Sequence, residues 1–185
     1  MVKKVTNWLY LEPLLFNDNW IHLSEISKRL GKNHTVVRQH LNEFENMGFI
    51  KKIKLGGLNM FKINLDYPLA VDIITLIEKE RLVNRKDNLI IKELIGFLHK
   101  NIPRKHNVII FGSSVNNIKK SNDIDILIDC ENLDVNLQEL EKNINKKIHL
   151  IEVASLNKID ETLKKEIKKT HLIIHGSEEV IRWLI

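Results

Sequence analysis

The amino-acid sequence predicts an α+β protein in which three short helices and a β-hairpin precede a small α/β unit. Two observations carry this. Before residue 50 apolar residues recur at helical spacing in three segments, and two β-prone runs then flank Gly56-Gly57. Beyond Pro103, short apolar runs alternate with helical patterns, the sign of strands interleaved with helices.

Residues 6–16 read as a first helix, with Trp8, Leu9, Leu11, Leu15 and Phe16 in an apolar stripe and Pro13 shortening or kinking it. Ser24 is the expected N-cap of a second helix over 25–30, which Gly31 stops. Asn33 or Thr35 opens a third helix that runs to Met47, with Val37, Leu41 and Phe44 facing the core and Gly48 closing it. Residues 49–55 and 60–65 form the hairpin. Residues 69–82 and 88–100 are helical, separated by the polar stretch 84–87. Strands follow at 108–111, 123–128 and 147–153, helices at 133–144 and 159–168, a short apolar run at 172–175 and a last helical piece at 178–184. The expected organisation is therefore residues 1–66, a helical linker over 67–106, and residues 107–185.

Hydrophobic residues make up 43% and charged residues 29%, the balance of a folded globular chain rather than a disordered one. No apolar run approaches the roughly 20 residues of a membrane span, so no membrane partner is expected. Asn7, Glu12 and Pro13 interrupt the N-terminal apolar stretch and no small-residue cleavage site follows, so this stretch is not expected to be a signal peptide. Cys130 is the single cysteine, so there is neither a disulfide framework nor a thiolate zinc site, and a reduced, cytoplasmic compartment is expected. The net charge of +5 is unevenly spread. Residues 1–66 hold ten Lys and Arg against six Asp and Glu, residues 67–106 eight against five, and residues 107–185 eleven against thirteen. An anionic partner would therefore meet the front of the chain.

Chemistry concentrates between Val108 and Ile128. Gly112 directly after a buried strand permits a tight turn and a close backbone approach to an anion. Ser113 adds a hydroxyl, and with Ser114 it opens the next helix, whose first amides suit a phosphate. Asp123 and Asp125 are two apart on a strand and project from one face, where paired carboxylates can hold Mg2+; Ile124, Ile126 and Ile128 anchor the other face.

With Phe111-Gly112-Ser113, nine residues, then Asp123-Ile124-Asp125-Ile126, the chain from Asn88 onward resembles the minimal branch of the DNA polymerase β-like nucleotidyltransferase superfamily. The resemblance implies a small domain with a mixed sheet, binding of ATP or another nucleoside triphosphate with Mg2+, and transfer of a nucleoside monophosphate to a hydroxyl. It implies nucleotide contacts at Gly112, Ser113 and Ser114, and metal ligands at Asp123 and Asp125. Members usually bear a third carboxylate on the later strand; here His149 takes that place, and Glu152 is the nearest acid, of opposite strand parity. As an imidazole, His149 could take a proton from an incoming hydroxyl. Asn116 and Asn117 stand where minimal members often carry an arginine, leaving Lys119 or Lys120 to supply positive charge.

The segment Leu23 to Gly31, continued by His40-Leu41-Asn-Glu-Phe44 and Gly48-Phe-Ile50, resembles winged helix-turn-helix regulators. That likeness implies DNA as a partner. Thr35, Val36, Arg38, Gln39 and Asn42 on the outward face of the third helix would read base edges. Lys51, Lys52, Lys54 and Lys62 on the hairpin would meet phosphates. Because Glu43 and Glu45 share that helix and Arg38 is its one Lys or Arg, affinity from a single copy would be weak, and a homodimer through residues 6–16 and 69–82 is expected.

Two functions follow as expectations. One is a DNA-binding protein whose nucleotidyltransferase domain modifies a macromolecular hydroxyl, with a partner toxin protein as a candidate acceptor. The other is a transcriptional regulator that senses a nucleotide through a transferase fold without turnover.

Overall fold

A computed structural model describes residues 8–85, 88–133 and 135–185. Thr6 and Asn7 of the first expected helix, Lys86 and Asp87 of the polar stretch, and Asp134 lie outside the described residues. The protein is α+β, with two separate sheets, and it divides into two compact units, 1–77 and 78–185.

In the first unit Trp8–Leu14 forms a 3-10 helix rather than the α-helix expected over 6–16. Pro13 lies inside it and brings no N–H to an α-helical ladder, and Phe16 then turns left-handed at φ 53°. A two-residue strand β1 (Ile21–His22) leads into α1 (Leu23–Leu30). The cap of α1 is His22 rather than Ser24: its Nδ1 accepts from the Ser24 amide at 3.2 Å and lies 2.6 Å from Ser24 Oγ. Gly31 ends the helix at φ 61°. In α2 (His34–Asn46), Asn33 Oδ1 caps the Thr35 amide at 2.8 Å, while Val37, Leu41 and Phe44 are buried at the predicted spacing. The strands β2 (Ile50–Leu55) and β3 (Leu58–Ile63) make the hairpin, with Ile50 opposite Ile63 and Leu55 opposite Leu58. β1 adds to β3, giving an antiparallel three-stranded sheet where sequence predicted two strands. Trp8 stacks on Phe44 at 5.6 Å, and Phe49 lies between Trp8 and Tyr67, so the first turn and the hairpin share one aromatic cluster.

α3 (Ala70–Arg85) carries the boundary between the units, which falls after Ile77. α4 (Leu89–Asn101), capped by Asn88, buries Ile91, Leu94, Ile95 and Leu98 in the core of the second unit. That unit continues with β4 (Val108–Phe111), a single turn α5 (Ser113–Asn116) and β5 (Asp123–Ile128). Next come α6 (Gln138–Ile144), β6 (Lys147–Glu152), a 3-10 turn at Leu156–Lys158, and α7 (Glu161–Lys169) capped by Asp160. β7 (His171–His175) and α8 (Ser177–Leu184) complete it. α6 starts five residues later than expected, after the left-handed Asn132 and an Asn136 side chain that bonds the Gln138 amide.

The sheet order is β6-β5-β4-β7, parallel between β5 and β6 and antiparallel elsewhere, hence mixed. One face presents Val108, Ile110, Ile124, Ile126, Ile128, Ile148 and Leu172 to α4 and α6. The other presents Ile109, Leu127 and Ile173, all buried, on the side of α8. Among the described residues no helix is long and apolar enough to cross a membrane.

Candidate functional site

Strand register assembles the site. Asp125 pairs with Phe111 on one side and with His149 on the other, and Phe111 pairs with His171, so all four side chains share one face. Phe111 and His171 are buried, whereas the Asp123, Asp125 and His149 side chains are 43%, 30% and 57% exposed. The row thus runs from the core out to a polar rim. His149 Nδ1 lies 3.3 Å from Asp125 Oδ1 and 3.7 Å from Asp123 Oδ2, so the imidazole bridges the two carboxylates.

Gly112 closes this rim. Its φ of 76° is open to glycine, and a Cβ there would lie 2.9 Å from Asp125 Oδ2. The turn is held from behind, where the Gly112 amide donates to the Thr170 carbonyl at 3.3 Å. Ser113 is exposed at the start of α5. Ser114 points the other way: it is 1% exposed and its hydroxyl donates to the Phe111 carbonyl at 3.3 Å. Its hydroxyl is therefore committed to the turn and is not offered to a ligand. With four residues, α5 is a single turn rather than a developed dipole; no side chain caps it, and its Val115 amide donates to the Gly112 carbonyl at 3.3 Å.

Glu152 does not join the carboxylates. It pairs with Ile128, three positions beyond Asp125 and about 10 Å along the strand, and its Oε1 accepts from the Leu133 amide at 3.2 Å. His149 alone stands beside Asp125 on β6. Lys146, which sequence did not single out, donates through Nζ to the carbonyls of Ser121 and Lys119. It ties the loop before Asp123 to the start of β6 and so fixes where β5 begins. Nothing in its local sequence marks that role, because its partners are backbone oxygens about 25 residues away.

The donor set suits a hard cation. Mg2+ prefers oxygen, keeps several waters, and is commonly held by one or two carboxylates plus substrate phosphates. Asp123 and Asp125 provide the carboxylates, and the close Gly112 backbone leaves room beside Asp125 that a Cβ would fill. Among the described residues no group of three or more His, Cys, Asp or Glu is gathered to hold a metal by protein ligands alone. An ion here would thus need ligand oxygens to complete its shell.

In the first unit Thr35, Val36, Arg38 and Gln39 lie exposed along one side of α2, as expected. Asn42 is half-buried and accepts from Lys52 Nζ at 3.3 Å, and the same ammonium pairs with Glu45 at 3.1 Å. Lys51 pairs with Asp66, holding that carboxyl below its usual range, and Lys62 donates to the Asp18 carbonyl at 2.9 Å. Three of the four hairpin lysines are thus used within the unit. Lys54 is exposed on the same strand face as Lys52, two residues on. The pairing was hidden in sequence because Lys52 meets α2 through the register of β2, not through proximity in the chain.

Comparison with protein-family models, with curated proteins and with solved structures finds no match to this chain, so function must be argued from these two sets of residues.

Proposed function

We propose that residues 78–185 bind a Mg2+–nucleoside triphosphate and transfer its nucleoside monophosphate to a macromolecular hydroxyl. The observation that carries the reading is the Gly112 backbone seated against Asp125, with Asp123 and His149 beside it on an open rim. Ser113 and the first-turn amides at α5 would take phosphate oxygens. Asp123 and Asp125 would hold the ion, which supplies charge neutralisation at the transferring phosphate when bound. His149 Nδ1 faces the carboxylates, so its Nε2 is the nitrogen that would accept the acceptor hydroxyl's proton.

The N-terminal unit supports DNA binding through a winged helix, with α2 as the reading helix and the β2–β3 hairpin as the wing. Arg38 and Gln39 would reach base edges, and Lys54 a phosphate. The reading is narrower than composition implied, because Lys51, Lys52 and Lys62 already have partners.

A second reading, a nucleotide sensor without turnover, is favoured by one observation: Glu152 is engaged by the Leu133 amide, and among the described residues no third carboxylate joins Asp123 and Asp125. One experiment separates the two. Purified protein with Mg2+ and α-phosphate-labelled ATP, GTP, CTP or UTP is mixed with cell lysate, beside an Asp123→Ala/Asp125→Ala control. A labelled macromolecule absent from the control establishes transfer, and protease or nuclease treatment then tells protein from nucleic acid. Nucleotide binding without label in any mixture establishes the sensor.

A further inference from the structure

The hairpin of the first unit ends in leucines. Register sets Ile53 opposite Met60 and Leu55 opposite Leu58, so the four side chains share one face in two adjoining cross-strand pairs. That face points away from the core, because the alternate set of Ile50, Phe61 and Ile63 is the buried one. Met60 is half-buried, whereas Ile53, Leu55 and Leu58 are 37%, 63% and 52% exposed. A single exposed leucine is ordinary on a protein surface, but adjoining apolar pairs left open to water make a contact surface.

The turn makes this end narrow. Gly56 and Gly57, at φ 55° and 83°, close the hairpin in two residues, and a Cβ on either would meet nothing within 4 Å. Leu55 and Leu58 are therefore the last side chains before a tip that stands in open space. The ribbon is tied to α2 further back, where Lys52 Nζ meets Asn42 at 3.3 Å and Glu45 at 3.1 Å. Leu55 lies three residues beyond that tie, about 10 Å along the strand, so the tip is held at a fixed spacing from Arg38 and Gln39.

Charge selects the partner. From residue 46 to residue 65 the chain has four lysines and no acidic residue. Asp66 and Glu45 balance Lys51 and Lys52, but Lys62 donates to a backbone carbonyl that carries no charge, and Lys54 is exposed beside Leu55. An apolar tip bordered by net positive charge suits a polyanion with an apolar interior. Stacked bases behind phosphates are one such partner, and a layer of anionic lipid is another. The exposed Thr35, Arg38 and Gln39 on α2 match base edges and gain nothing from acyl chains, which favours DNA.

We propose that Leu55 and Leu58 form a wedge that enters the minor groove and parts a base step, so that this unit bends the duplex it binds. The proposal rests on the reading of residues 1–77 as a DNA-binding unit and adds a deformation that base-edge contacts from α2 do not require. With α2 in the major groove, a ribbon tied beside it reaches the neighbouring minor groove. That groove is about 6 Å wide and admits the two-leucine tip rather than the whole ribbon. Insertions of this kind kink the duplex by about 20–90°, and pyrimidine–purine steps such as TA open most readily. Lys54 would meet the phosphate beside the opened step.

The test uses the full-length protein at low salt and a duplex of about 30 base pairs that carries TA steps throughout, with 2-aminopurine at the central ones and a fluorophore at each end. Anisotropy reads binding, energy transfer between the ends reads bending, and 2-aminopurine emission rises when its base unstacks. The wild-type chain should raise both transfer and emission saturably. Leu55→Ser/Leu58→Ser, which alters exposed side chains alone, should still bind the duplex and raise neither. Replacing the TA steps by stiff A-tracts should weaken wild-type binding and leave that of the variant unchanged. Wild-type binding without a rise in transfer, or an equal rise in the leucine variant, would overturn the wedge and leave DNA binding standing. No binding to any duplex would overturn both, and binding to phosphatidylserine vesicles that the variant loses would then assign the tip to a membrane surface.

Discussion

Gly112 and Asp125 lie against each other at the turn after β4: the space a Cβ would take at Gly112 lies 2.9 Å from Asp125 Oδ2. β5 makes this approach through its pairing with β4 and sets Asp125 beside His149 through its pairing with β6, so the turn and the carboxylate rim share one strand. Gly112→Ala should therefore act twice. The left-handed backbone costs about 1–3 kcal/mol, and the new methyl displaces the Asp125 carboxylate. Thermal unfolding should show the first effect, and loss of Mg2+-dependent nucleotide binding by calorimetry the second.

Asp125→Ala removes a half-exposed carboxylate without touching the core. The melting temperature should change little, while Mg2+-dependent nucleotide affinity should be lost. Unchanged affinity would place the ion elsewhere.

His149→Ala separates chemistry from binding. If its imidazole takes the acceptor proton, kcat should fall by about 10²–10⁴-fold with nucleotide affinity retained. A drop in affinity with unchanged kcat would instead make His149 a ligand contact.

Behind the rim, His171 is buried against Glu78, with its Nε2 3.7 Å from Glu78 Oε2, and Arg81 pairs with the same carboxylate at 2.6 Å. Burial, then Arg81, pushes the His171 pKa down to about 4, whereas burial raises that of Glu78. The unfolded chain, with histidine near 6.5, then takes up a proton that the folded chain refuses, so stability falls as pH drops from about 6.5 toward 4. Glu78 acts in the opposite sense, since its raised pKa makes the folded state bind protons more readily as pH falls. In a Glu78→Gln background the His171 contribution should no longer be offset, so the loss of stability toward acid should steepen. Denaturant midpoints at pH 7 and pH 4.5 measure it, and His171→Gln should flatten the profile.

For the first unit, Arg38→Ala and Lys54→Ala should each weaken DNA binding, and Lys54→Ala should reduce the salt slope by about one. Lys51→Ala should leave the slope unchanged, because Lys51 is held by Asp66. An equal change in slope for Lys51→Ala would show that its ion pair opens on DNA.

Sequence determined most of the elements and the faces of the strands that carry the site. The strands over 108–111 and 123–128 are where it placed them, because four consecutive apolar residues and the alternation of Asp123, Asp125 with Ile124, Ile126 leave one way to bury a strand. The inward set Val37, Leu41 and Phe44 followed from helical spacing in the same way. Local rules of this kind act within a few residues, so they can be read from the chain alone. Tertiary structure alone decided which groups meet. The fold gave Glu152 to the Leu133 amide, the register of β2 consumed Lys52, and the slip in β7 set His175 on His99. Each depends on the register between segments distant in sequence. A slip of one residue there reverses which face a side chain occupies, and the energy that sets the register is spread over the whole buried sheet.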